Sequence, residues 1–150
     1  NGVVIEASTT QSMAAAGDET LKTTPFRISD SQIFPIKAIP GVRILNSKGT
    51  VTNTTFVSNT TLGNNDQTNS GLLISGLTSD VTISNCSFHN LTSQVGAGIQ
   101  VTSASKISIT NSTFFNNTAP IGAGVALTSV NISMLTTNNF TANKAVKIDG

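Results

Sequence analysis

The sequence predicts an all-β chain wound as a parallel β-helix. Three observations predict it: phenylalanines recurring at a fixed spacing, short runs with period-2 alternation, and Asn or Gly at the junctions between those runs. Phe88, Phe114 and Phe140 lie 26 residues apart, and Phe56 stands 32 before Phe88. Val81-Thr-Ile-Ser-Asn-Cys-Ser-Phe88 matches Ile107-Ser-Ile-Thr-Asn-Ser-Thr-Phe114. Five residues before each Phe sits an aliphatic, Val51, Ile83, Ile109 or Leu135, and three before it sits Asn53, Asn85 or Asn111, with Thr137 in the last copy. A rung of about 26 residues stacks equivalent positions about 4.8 Å apart, so Phe56, Phe88, Phe114 and Phe140 form one expected core ladder, and Val51, Ile83, Ile109 and Leu135 a second.

In chain order, residues 1–48 read as a non-repeat N-terminal capping or assembly segment. Val3–Ile5 suits a strand, and the Ala-rich Ser12–Lys22 a short helix. Pro25, Pro35 and Pro40 then punctuate extended pieces. Such a segment can cover the open end of a coil, whose unpaired edge groups invite aggregation. Residues 49–150 hold the rungs. Gly96-Ala-Gly-Ile-Gln-Val101 pairs with Gly122-Ala-Gly-Val-Ala-Leu127, Gly71-Leu-Leu-Ile74 is a looser copy, and Gly41-Val-Arg-Ile44 is a weaker candidate for a further unit upstream. Leu62 to Ser70 is an insertion. Strands of four to six residues between Asn and Gly corners suit a coil better than a hairpin meander, because those residues tolerate the left-handed backbone of a sharp bend.

Phe114-Phe-Asn-Asn117, Phe140-Thr-Ala-Asn143 and Phe56-Val-Ser-Asn59 read Phe-x-x-Asn, and Gly122-Ala-Gly-Val125 and Gly96-Ala-Gly-Ile99 stand near the Gly-Gly-Ala-Ile element. These motifs resemble the repeats of the polymorphic outer membrane proteins, over about 95 residues. Two departures stand out: Leu91 takes the Asn position after Phe88, and Ala97 and Ala123 replace the second Gly. The resemblance implies a right-handed β-helix in an adhesin-like, cell-surface setting, without implying a reaction.

Composition narrows the function. Asn, Ser and Thr make up 57 of the 150 residues, only 10% are charged, and net charge is +1. That leaves no basic surface for a nucleic acid. No apolar run is long enough for a membrane helix, and the absence of Trp and Tyr argues against a small outer-membrane barrel with its aromatic girdles. A hydrophobic fraction of 37% suffices for a core and argues against disorder. Single copies of Cys86 and His89 offer no disulfide, triad or zinc set. Between Asp80 and Asp149 there is no Asp or Glu, so the best-formed rungs lack the paired carboxylates of a glycosidase and the calcium ligands of a lyase. We therefore expect no catalytic residue, metal or cofactor.

Eight asparagines begin Asn-x-Ser/Thr: Asn53, Asn59, Asn85, Asn90, Asn111, Asn116, Asn131 and Asn139. About four would arise by chance. Asn53, Asn85 and Asn111 are expected as an internal or corner ladder, because a side chain satisfied rung to rung cannot also carry a glycan. Asn90, Asn116, Asn131 and Asn139 are then the candidates for N-linked glycan. The expectation is a non-catalytic, extracellular, structural or adhesive β-helix glycoprotein. It would self-associate axially or edge to edge as a subunit of a filament or surface stalk. The alternative, a carbohydrate-binding or pectate-lyase-like module, requires Glu6, Asp30, Arg27 and Arg43 to converge on one groove.

Overall fold

A computed structural model of the chain describes residues 25–35, 39–58 and 70–146. The chain coils through four rungs and into a fifth. The first rung holds β1 (Phe26–Ser29), β2 (Gln32–Ile33) and β3 (Val42–Leu45), and the second β4 (Lys48–Thr52), β5 (Thr55–Val57) and β6 (Leu72–Ser75). The third holds β7 (Asp80–Ser84), β8 (Ser87–His89) and β9 (Ile99–Val101). The fourth holds β10 (Ala104–Thr110), β11 (Thr113–Phe115), β12 (Thr118–Ala119) and β13 (Val125–Leu127). The fifth holds β14 (Val130–Thr136), β15 (Asn139–Thr141) and β16 (Lys144–Ala145). Each strand pairs in parallel with its equivalent one rung away. The first sheet runs β1-β4-β7-β10-β14, the second β15-β11-β8-β5-β2 and the third β13-β9-β6-β3.

Alternation puts one set of side chains inside. Ile28, Val51, Ile83, Ile109 and Leu135 are consecutive partners in the first sheet. Ile33, Phe56, Phe88, Phe114 and Phe140 are consecutive partners in the second. The four Phe rings stack face to face at 4.6, 4.9 and 4.6 Å between centroids. The period-2 parity breaks at Asn85, so that Ile83 and Cys86, three residues apart, both point inward.

Two expectations need correction. The repeat begins well before residue 49: β1, β2 and β3 pair with the second rung as Ile28↔Val51, Ile33↔Phe56 and Val42↔Leu72. The first rung lacks Phe in the ladder position and Asn at the corner, where Ile33 and Asp30 stand, so β1 and β2 left no textual copy, whereas Gly41-Val-Arg-Ile44, the candidate upstream unit, falls on β3 and pairs with Gly71-Leu-Leu-Ile74. Residues 25–35 and 39–48 are therefore part of the coil, and the strand and helix expected at Val3–Ile5 and Ser12–Lys22 lie outside the described residues. Phe140 and Leu135 keep the register of their ladders but are not core residues. They are 48% and 44% exposed, because no described rung covers their outer side.

The glycines serve two different purposes. Gly96 and Gly122 are corner residues at φ +57°. Gly98 and Gly124 are not; they let the Phe ladder lie flat against the opposite wall. A Cβ on Gly98 would strike the Gly124 carbonyl oxygen and come within 2.8 Å of Phe114 Cδ1. Both are fixed, one as backbone and the other as a ring clamped in a stack. Gly98→Ala is expected to cost about 1–3 kcal/mol, in the range of core overpacking. Thermal unfolding checks this.

Candidate functional site

Inside the coil, short polar residues form the supports of the rungs. Asn117 is fully buried. Its Nδ2 donates to the Phe88 carbonyl (2.9 Å) and to Asn143 Oδ1 (3.0 Å), and its Oδ1 accepts the Leu91 N–H (3.0 Å). Asn143 repeats the pattern one rung on, donating to the Phe114 carbonyl (2.7 Å) and accepting the Asn117 N–H (3.2 Å). Asn138 does the same at a second inner position, with the Ile109 carbonyl (2.8 Å) and the Ser112 N–H (2.9 Å). Such amides stand in for ladder bonds where the chain bends and backbone groups would otherwise be orphaned. Among the described residues no buried side-chain N or O lacks a partner.

Cys86 belongs to this inner set. Its N–H donates to Ser112 Oγ (3.2 Å) and its thiol lies 3.3 Å from the Ser84 carbonyl, where Thr54 and Ser112 make the equivalent back-bonds to Thr52 and Thr110. Burial pushes the thiol up from its ordinary value, which holds it as a neutral thiol, inert as a nucleophile.

Outside, the rungs present two columns of corner residues and a strip between them. Asp30, Asn53, Asn85, Asn111 and Thr137 turn the chain from the first sheet to the second, all in the left-handed region at φ 47–57°. Asn fits because its short amide tolerates that region. Asn53, Asn85 and Asn111 are thus exposed corners, not an internal ladder. Asn90, Asn116 and Ala142 make the next corner, at φ 58°, 51° and 54°. Asn116 Nδ2 donates to Asn90 Oδ1 (2.8 Å), and Asn90 Nδ2 lies 3.5 Å from His89 Nδ1. Asn131 and Asn139 are exposed on the fifth rung. His89 stands half-buried in the outward column Val57–His89–Phe115–Thr141. Phe115 in that column is 45% exposed.

The residues needed for the carbohydrate-active reading are distributed over the coil. Arg27 points out from the first sheet and Arg43 from the third, while Asp30 sits on the first corner and accepts from Asn53 Nδ2 (3.1 Å). Glu6 lies outside the described residues. Asp80 is the rung neighbour of both Lys48 and Lys106. Among the described residues no three His, Cys, Asp or Glu side chains group to hold a metal ion, and no helix is long and apolar enough to cross a membrane.

The inner amide ladders missed by sequence reading carried a visible signal. Asn117 and Asn143 are the last letters of two of the three Phe-x-x-Asn motifs, whose third residue after an inward Phe also faces inward once the corner at Asn116 or Ala142 shifts the parity.

Parallel pairing throughout, a Phe stack along the axis and amide-supported corners together define a parallel β-helix. A family model described as the right handed beta helix region matches residues 2–149, and the chain belongs to that family. Comparison with curated proteins and with solved structures gives no match.

Proposed function

We propose that this chain is a non-catalytic, extracellular structural or adhesive β-helix that works by coil-on-coil assembly into a filament or surface stalk. The observation that carries this reading is the outer side of the fifth rung. Phe140 stacks on Phe114 at 4.6 Å, yet Leu135 and Phe140, at inward ladder positions, are exposed, and Ile132 and Met134 put further exposed apolar side chains on the rung's outward face, in register with Lys106 and Ser108 of the fourth rung. The equivalent ladder residues of the third and fourth rungs, Ile83, Ile109, Phe88 and Phe114, are buried between neighbouring rungs, and an exposed apolar patch of this kind marks an interaction surface. An edge strand with free backbone groups adds a template for a second copy. The resemblance to polymorphic outer membrane protein repeats supports the same reading, since the Phe-x-x-Asn and Gly-x-Gly elements both serve the stacking of rungs here.

Light scattering on the full chain tests it. Concentration-dependent association is expected, and Leu135→Lys with Phe140→Asp is expected to give a monomer with unchanged strand circular dichroism. A monomeric parent chain would refute the assembly.

A second reading, as a binding module for neutral polysaccharide, draws on Phe115. Its exposed ring stands in line with His89 and beside the Asn90 and Asn116 amides, an apolar surface edged by hydrogen-bonding groups. Titration with neutral and acidic oligosaccharides separates the two readings.

A further inference from the structure

We propose that Asn85 and Asn111, neighbours on the first corner column, are acceptor sites for N-linked glycan, with one of the two loaded in any one chain. This rests on the extracellular reading above.

The starting observation is a sorting of the asparagines. Among the described residues, Asn53, Asn85, Asn90, Asn111, Asn116, Asn131 and Asn139 begin an Asn-x-Ser/Thr sequence, and each is exposed or half-buried on the outside of the coil. The inward amides Asn117, Asn138 and Asn143 are followed two residues later by Ala119, Phe140 and Ala145, so none of them begins one. The amides that hold the rungs together thus lack the acceptor signal. A glycan on Asn117 would replace a hydrogen that bonds the Phe88 carbonyl or Asn143, inside a coil with no room for a sugar.

The outward sites differ in what their amides already do. Asn53 donates to Asp30, Asn116 donates to Asn90, and Asn139 Oδ1 accepts the Thr141 hydroxyl (2.8 Å). Asn85 and Asn111 are exposed, and their side-chain amides bond no described residue. At φ 53° and 47° they stand at the convex edge between two sheets, where a substituent projects away from both. Attachment there removes no structural bond.

The transfer is balanced with a lipid-pyrophosphate-linked oligosaccharide as co-reactant. The Asn Nδ2 forms a bond to the anomeric carbon and gives up one proton. The anomeric C–O bond breaks, and the lipid pyrophosphate leaves with the electron pair. Asn85 and Asn111 are one rung apart, about 4.8 Å, less than the breadth of a substituted sugar ring, so loading one blocks the other.

The experiment expresses the full chain through a eukaryotic secretory host and maps glycopeptides after amidase treatment, which leaves Asp at each modified Asn. One mark per chain is expected across the pair. Thr113→Ala, which keeps the corner asparagine, is expected to move the mark to Asn85. Thr113→Ala with Ser87→Ala is expected to abolish it, with strand circular dichroism retained. Both sites loaded in one chain, or a secreted chain bare at this pair, overturns the proposal. Locating the native chain inside the cell would instead remove the extracellular reading, and the site with it.

Discussion

Phe88→Ala is expected to be among the most damaging single substitutions in this protein, costing about 4 kcal/mol. Phe88 is fully buried and its ring is clamped between Phe56 at 4.6 Å and Phe114 at 4.9 Å, with interplanar angles of 5° and 4°. Truncation removes both stacked faces and leaves a void that two rigid parallel strands cannot close by shifting. Since small domains are stable by only about 5–15 kcal/mol, such a loss is expected to lower the melting temperature by roughly 10 °C. Phe140→Ala provides the internal control. Its ring has one stacked face and one open face, so the expected cost is about half as large. Thermal melts of both variants check the difference. Equal losses at low protein concentration would mean that the fifth rung is covered in solution, and equal small losses would refute the stack as a source of stability.

Asn117→Ala is expected to cost about 2–5 kcal/mol, because it strands the buried Leu91 N–H and Phe88 carbonyl without partners. The residue makes no apolar contribution to speak of; the effect is hydrogen bonding alone. Asn117→Asp separates the donor from the shape. The carboxylate can still accept from Leu91 N–H, but it turns acceptor against acceptor at the Phe88 carbonyl and Asn143 Oδ1. Burial against those two acceptor oxygens raises the folded-state value of that carboxyl above its unfolded value of about 4. Stability relative to the parent is therefore expected to be best at pH below about 4 and to fall as pH rises. Chemical denaturation of the three chains at two pH values checks both statements. An Asn117→Ala chain as stable as the parent would show that water replaces the amide.

Much of this architecture was legible because a solenoid writes its core into the text. Neighbouring rungs meet at equivalent positions, so a ladder of one residue type in space is a repeat of one letter in the chain. That is why Phe56, Phe88 and Phe114, and Val51, Ile83 and Ile109, could be placed before any coordinates. Of the first rung only Gly41-Val-Arg-Ile44 was legible; its other strands escaped because Ile33 fills the inward place of Phe56 with a different letter, and β-pairing asks only for an apolar side chain there. The direction of the asparagines escaped for a different reason. A residue's inward or outward sense depends on the number of left-handed corners before it, and each corner shifts parity by one.

The amino-acid sequence by itself thus determined the coil, its period, its strand positions and the poverty of its rungs in catalytic carboxylates, since all of these follow from letters repeated in register. Only the tertiary structure decided which asparagines hold the rungs and which stand free, why Gly98 must lack a side chain, and that Leu135 and Phe140 are exposed at inward ladder positions. Those depend on corner backbone angles and on whether another rung lies above, and neither is a property of a residue or its sequence neighbours.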